Sequence, residues 1–171
     1  MLTLHTKINQ ADSVAAQLVL AYDQREKCRL RARLDTGEEV AVFMARGSVL
    51  RGGDLLTGED GRVVRVVAAA EPTLVVRCDD AHIMARCAYH LGNRHTQVQI
   101  GDGFLRILAD PVLREMVIGL GGRVSAEDAA FEPESGAYSA GPHSHRDGGH
   151  PLAPIPLRQK IHRPGDAQAP A

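Results

Sequence analysis

The chain has 171 residues and balanced charge, 20 Lys plus Arg against 21 Asp plus Glu, so the basic face that captures nucleic acid phosphates is not expected. Hydrophobic residues make up 44% and charged residues 24%, the balance of a globular chain with a core of ordinary size. No apolar run approaches the roughly 20 residues of a membrane span, nothing after Met1 reads as a signal peptide, and three cysteines without Cys-x-x-Cys spacing fit a reducing, cytoplasmic setting.

From Leu2 to about Leu74 the pattern is strand-like. Leu30 to Leu34 alternates apolar and polar, Asp35-Thr36-Gly37-Glu38 supplies a turn, and Val40 to Met44 reads as the return strand. Gly-rich punctuation follows at Gly52-Gly53 and Gly58 to Gly61, and then Val63-Val64-Arg65-Val66-Val67 reads as another strand. Beyond a short turn near Asp12 to Ala16 no helix is expected, so residues 1–72 read as a small all-β domain.

Near Glu71-Pro72 the texture changes. Thr73 to Cys78 reads as a strand, and Asp79 or Asp80 caps a helix through Leu91, with Gly92 placed to end it in a left-handed conformation. Gln97 to Ile100 and Phe104 to Leu108 alternate around the turn Gly101-Asp102-Gly103. Asp110-Pro111 opens a second helix whose face is Leu113, Met116, Val117 and Leu120; Gly121-Gly122 closes it, and Arg123 to Ala126 begins a short last strand. The order β-α-β-β-α-β over residues 73–132 is that of ferredoxin-like domains, so the fold class expected is α+β. Residues 133–171 hold seven of the nine prolines and four of the eight histidines without apolar periodicity, and are expected to form a flexible His-containing tail.

Imidazoles dominate the candidate chemistry. His95 lies beyond the expected helix stop, exposed on a loop between two regular elements, and imidazole suits nickel, copper, zinc and cobalt. One histidine is not a metal site, and an exposed loop histidine with no role is the plain alternative. The tail adds His143, His145 and His150, three imidazoles within eight residues, in the manner of short His-rich metal-binding tracts. Cys87 and His90 have the spacing of a chelating pair but lie among Met84, Ala88 and Leu91, on the face expected to pack on the sheet. Cys28 and Cys78 read as small strand hydrophobes. His-Glu-x-x-His, Gly-x-Ser-x-Gly and the phosphate-binding Gly-x-x-x-x-Gly-Lys are all absent from the sequence, which lowers the case for an enzyme.

The string Ala88-Tyr89-His90-Leu91-Gly92-Asn93-Arg94-His95 resembles the urease accessory protein E family, nickel metallochaperones of urease maturation. Val49-Leu50-Arg51-Gly52-Gly53-Asp54, Val98-Gln99-Ile100 and Val112-Leu113-Arg114-Glu115-Met116 extend the resemblance over residues 1 to about 132. It implies a β domain similar to the peptide-binding domain of J-type co-chaperones, a ferredoxin-like metal-binding domain, and a homodimer joined through the second domains. It further implies that His95 from each chain binds Ni2+, that tail histidines add ligands, and that the partners are the urease apoprotein complex and the urease GTPase accessory protein. Gln97 stands where relatives often have proline, and Pro111 where many have histidine, which puts a secondary metal site there in doubt.

Near a two-fold axis one loop histidine becomes two ligands of one site. Flexible tail imidazoles join at high effective concentration without forming a rigid cage. Bound imidazoles are neutral, so affinity should fall as pH drops through roughly 6.5, and Zn2+ or Cu2+ would compete for the same nitrogens. The rival readings are a peptide-binding assembly chaperone that works through a groove on the β domain, and a metal-storage protein that works through its tail.

Overall fold

The computed structural model describes residues 1–135. Seven strands precede residue 70: β1 (Leu2–Leu4), β2 (Thr6–Ile8), β3 (Ala16–Leu20), β4 (Arg29–Arg33), β5 (Glu39–Phe43), β6 (Leu55–Thr57) and β7 (Val63–Ala68), with the short helix α1 (Tyr22–Arg25) between β3 and β4. They form two sheets, ordered β1-β5-β4 and β2-β6-β7-β3. Both sheets mix directions, since β1 runs parallel to β5 (Leu2 opposite Val40) and β3 parallel to β7 (Leu18 opposite Val66). Alternation along each strand sends Leu2, Leu4, Val40 and Val42 of one sheet and Leu18, Leu20, Leu56, Val64 and Val66 of the other into one shared core. Complete burial of each such side chain contributes about 1.5–3 kcal/mol. The chain changes sheets at His5, and Gly58 passes so close there that an added Cβ would sit 1.8 Å from the Thr3 carbonyl oxygen.

The hairpin between β4 and β5 falls where the alternation predicts it. The short turn expected near Asp12 is absent, and the helix of this region is α1 instead. Its first turn is held locally, by the Gln24 side chain accepting from the Ala21 amide at 3.1 Å.

The remaining elements are β8 (Ala70–Arg77), α2 (Ala81–Asn93), β9 (Gln99–Gly101), β10 (Phe104–Leu108), α3 (Pro111–Gly119) and β11 (Arg123–Ala130). The sheet order is β11-β8-β10-β9, and every neighbouring pair is antiparallel. Pro72, where the texture of the sequence changes, lies inside β8, and β11 is twice the length its first residues suggest. Cys28 and Cys78 stand just outside strands, not within them. Leu74, Val76, Leu105 and Ile107 point to the same side as the helix stripes Cys87–Leu91 and Leu113–Val117, and together make a second core. Asp80 caps α2 by accepting from the Ile83 amide at 2.8 Å; Asp110 caps α3 by accepting from the Val112 and Leu113 amides, with Pro111 at the first helical position.

After β11 the chain returns to the first domain. Phe131 is fully buried with its ring edge-on to Tyr22, centroids 5.4 Å apart. The Glu132 carboxylate accepts from the Gly52 amide at 2.7 Å and pairs with Arg25 at 3.0 Å and Arg51 at 3.1 Å. Arg25 is completely buried and also donates to the carbonyls of Leu50 and Phe131, while Arg51 donates to the Pro133 carbonyl at 2.7 Å. Burial pushes the Glu132 carboxyl upward, but the Gly52 amide and the two guanidiniums outweigh it, so its pKa lies below the ordinary 4.5.

Candidate metal centre

The helix α2 does not end at Gly92. Gly92 is helical, the C-cap is Arg94, and the residue that turns left-handed is His95, at φ 55°. Among the described residues it is the one non-glycine residue with positive φ. Two bonds close the helix: the His95 amide donates to the Gly92 carbonyl at 2.9 Å, and the Thr96 amide donates to the Leu91 carbonyl at 3.2 Å. Such a pair defines a Schellman ending with His95 in the place usually taken by glycine. The helix can run past Gly92 because a single helical glycine costs only about 1 kcal/mol, and because fully buried Leu91 anchors that turn in the core. His95 is thereby exposed, on backbone fixed from the helix side.

The far side of the loop is fixed as well. Gln97 bridges to α1, with its amide nitrogen 3.3 Å from the Glu26 carboxylate and its carbonyl oxygen accepting from the Tyr22 hydroxyl at 3.4 Å. Burial, aided by the neighbouring Glu26, pushes the Tyr22 hydroxyl up to about 12 and keeps it a donor at neutral pH. The Val98 carbonyl accepts from the Glu134 amide at 2.8 Å, and the Gln99 side chain accepts from the Glu132 amide at 3.0 Å.

The structure does not join Cys87 and His90 as ligands. Cys87 is fully buried, and burial, reinforced by neighbouring Cys78, pushes its thiol up to about 11, so it stays protonated and unsuited to a metal. His90 is half-buried and not enclosed in the core, with its ring edge-on to Tyr89 at 5.3 Å. It stands about 60° around the helix from Cys87, on the flank of the packed stripe. His5 bonds to the Thr6 hydroxyl at 2.9 Å on the surface, and His82 is exposed in the first turn of α2. His143, His145, His150 and His162 lie outside the described residues. Among the described residues no group of three or more His, Cys, Asp or Glu side chains is placed to hold a metal ion. Among the described residues His95 belongs to no such group. Pro111 serves as a helix start, and with Asp110 as the cap the local geometry has a structural account.

What the local sequence reading missed is the set of side chains behind the loop: Tyr22, Arg25, Glu26, Arg51 and Glu132. The Val49 to Asp54 string was visible but carried no chemistry of its own. Its partner, Glu132, lies 81 residues away from Arg51.

The comparisons with known proteins agree over both parts of the chain. Residues 2–69 match the family model described as UreE urease accessory protein, N-terminal domain, and residues 71–161 match the C-terminal domain of the same family. A protein of Nitrosospira multiformis named urease accessory protein UreE is 60% identical, over 97% of this chain and 98% of its own length. A protein of the same name from Janthinobacterium sp. (strain Marseille) is 63% identical, again over 97% and 98%. Another, from Cupriavidus necator, is 56% identical over 77% of this chain and 68% of its own. The chain belongs to the UreE urease accessory protein family.

Proposed function

We propose that the protein is a nickel-binding metallochaperone, not a catalyst, which delivers Ni2+ to apo-urease in the cytoplasm while the urease active site is assembled. The observation that carries this reading is His95, an exposed imidazole on backbone braced from both sides. A lone donor of this kind becomes a site when a two-fold axis pairs it with the same residue of a second chain. The exposed apolar side chains Tyr89 and Ile100, one on each side of the loop in sequence, are suited to such a homodimer contact. In this reading the second domain, residues 73–132, is a ferredoxin-like metal-binding module, in keeping with its element order and sheet. Residues 1–72 form the β domain.

Two imidazoles leave a first-row ion under-coordinated, so the cargo remains exchangeable. His143, His145 and His150 would complete the shell and then yield to ligands of the urease apoprotein complex or the urease GTPase accessory protein. Zn2+ and Cu2+ compete for the same nitrogens. The test is Ni2+ stoichiometry and affinity for the native chain, for His95→Ala and for a chain ending near Gly141. One tight site per two chains that is abolished by His95→Ala, with weaker or fewer additional sites after truncation, is the expected result; unchanged tight binding in His95→Ala sinks the reading.

A second reading, a peptide-binding assembly chaperone with incidental metal, draws on one feature of the first domain. A groove of about 350 Å³ is lined by Met1, Thr3, Arg29, Leu30, Arg31, Ala41 and Phe43. Urease activation by a variant blocked in this groove, compared with activation by His95→Ala, separates the two.

A further inference from the structure

The Glu132 carboxylate is a main link between the β domain and the His95 loop. Three groups from the stretch that precedes residue 70 hold Glu132: the Arg25 guanidinium at 3.0 Å, the Arg51 guanidinium at 3.1 Å and the Gly52 amide at 2.7 Å. A Cβ at position 52 would stand 3.0 Å from the carboxylate oxygen and crowd this grip. The strap after β11, residues 131–135, which Glu132 fixes, then binds the loop through the Glu132 amide to the Gln99 side chain and the Glu134 amide to the Val98 carbonyl. Gln97 adds a direct link to Tyr22 of α1 and to Glu26, the residue that caps it. From the loop into the start of β9, then, three consecutive residues, Gln97 to Gln99, are each tied to the first domain or to the strap it holds.

We infer that Glu132 is a positioning residue for metal capture: gripped by Arg25, Arg51 and Gly52, it makes the β domain a brace that holds the His95 loop in its metal-ready geometry. The inference rests on His95 being the ligand. The physical reason for an effect on affinity is preorganisation. A loop free on its downstream side must be ordered when metal binds, and that cost comes out of the binding free energy. Upstream the Schellman ending fixes the backbone as far as Thr96, so the strap governs the remaining half. Groups that orient metal ligands from outside the coordination shell typically change affinity about 10- to 100-fold when removed. The lower end is expected here, because the link runs through backbone.

The test uses the full-length protein titrated with Ni2+ alone. Glu132→Ala and Arg51→Ala are each expected to weaken the tight site about 10-fold. Glu132→Gln, which keeps an acceptor for Gly52 and Arg51, should hold affinity closer to native. Val40→Ala, a cavity in the first core between Leu2 and Ala32, supplies a destabilised control whose affinity should stay native. Amide exchange at the Val98 and Gln99 positions should quicken in Glu132→Ala and not in Val40→Ala. Native affinity in Glu132→Ala, or an equal loss in Val40→Ala, overturns the inference. Retained tight binding in His95→Ala instead overturns the reading beneath it, so the two failures are told apart.

Discussion

Replacing His95 with glycine should make the metal-free protein more stable while removing the tight metal site proposed above. At φ 55° the His95 Cβ crowds its own backbone, and an L-residue held left-handed costs about 1–2 kcal/mol. Glycine relieves that strain, but it has more freedom to lose on folding, a cost of roughly 0.5–1 kcal/mol. The difference leaves a net gain of about 0.5–1 kcal/mol, since both helix-closing bonds come from backbone amides and survive the change. For a chain of this length that is a rise of about 1–4 °C in Tm. His95→Ala keeps a Cβ and loses the mild tolerance that histidine has for this region, so it should be no more stable than the native protein. The assay is thermal unfolding of metal-free native, Gly and Ala variants at one protein concentration, which fixes any contribution from self-association. Equal Tm values for the Gly and Ala variants, or a fall on going to glycine, refute the argument that the backbone at this position is strained.

Phe131→Ala should cost about 3–5 kcal/mol in chemical denaturation, because the ring is fully buried and packs edge-on against Tyr22. The Glu132 carboxylate, held below its ordinary 4.5, contributes stability above that pH and loses it as pH falls through the lowered folded value; Glu132→Gln should therefore be less stable than native near neutrality and show a shallower loss of stability below pH 4.5. A thiol-alkylating reagent at pH 8 should leave Cys87 unmodified in the folded protein and modify it after denaturation, as peptide mass analysis would reveal; rapid labelling of folded Cys87 contradicts its buried, protonated state.

Elements governed by neighbours in sequence were legible. Asp110-Pro111 announces a helix start because cap and proline act within three residues, and the β4–β5 hairpin follows from alternation around a Gly turn. The end of α2 was misplaced by three residues, since a glycine is the ordinary left-handed residue and a histidine there has no comparable signature. The position of His95 was thus readable but its backbone state was not. α1 escaped notice because four residues carry no periodicity, and its support comes from partners such as Glu71, whose carboxylate accepts from the Tyr22 amide at 2.8 Å. Neither Arg25 nor Glu132 announces itself. A buried guanidinium can be recognised only once the residues that neutralise it are known, and those arrive from the other end of the described chain.

That separation bears on the order of events during synthesis. The Arg25 side chain reaches the Phe131 carbonyl across 106 positions, and Arg51 reaches Glu132 across 81. A nascent chain that has released only its first seventy residues already has both hydrophobic sheet faces, yet lacks the carboxylate that offsets its sequestered cation. Such distant contacts are closed late, because the chain must lose loop entropy before it gains from them. The β domain should then linger as a loosened intermediate on the ribosome and lock only when the strap emerges. Completion of the whole unit, and with it the bracing of the His95 loop, would fall in a single late step, so on the proposed function a half-made chain would lack the braced loop that metal capture needs.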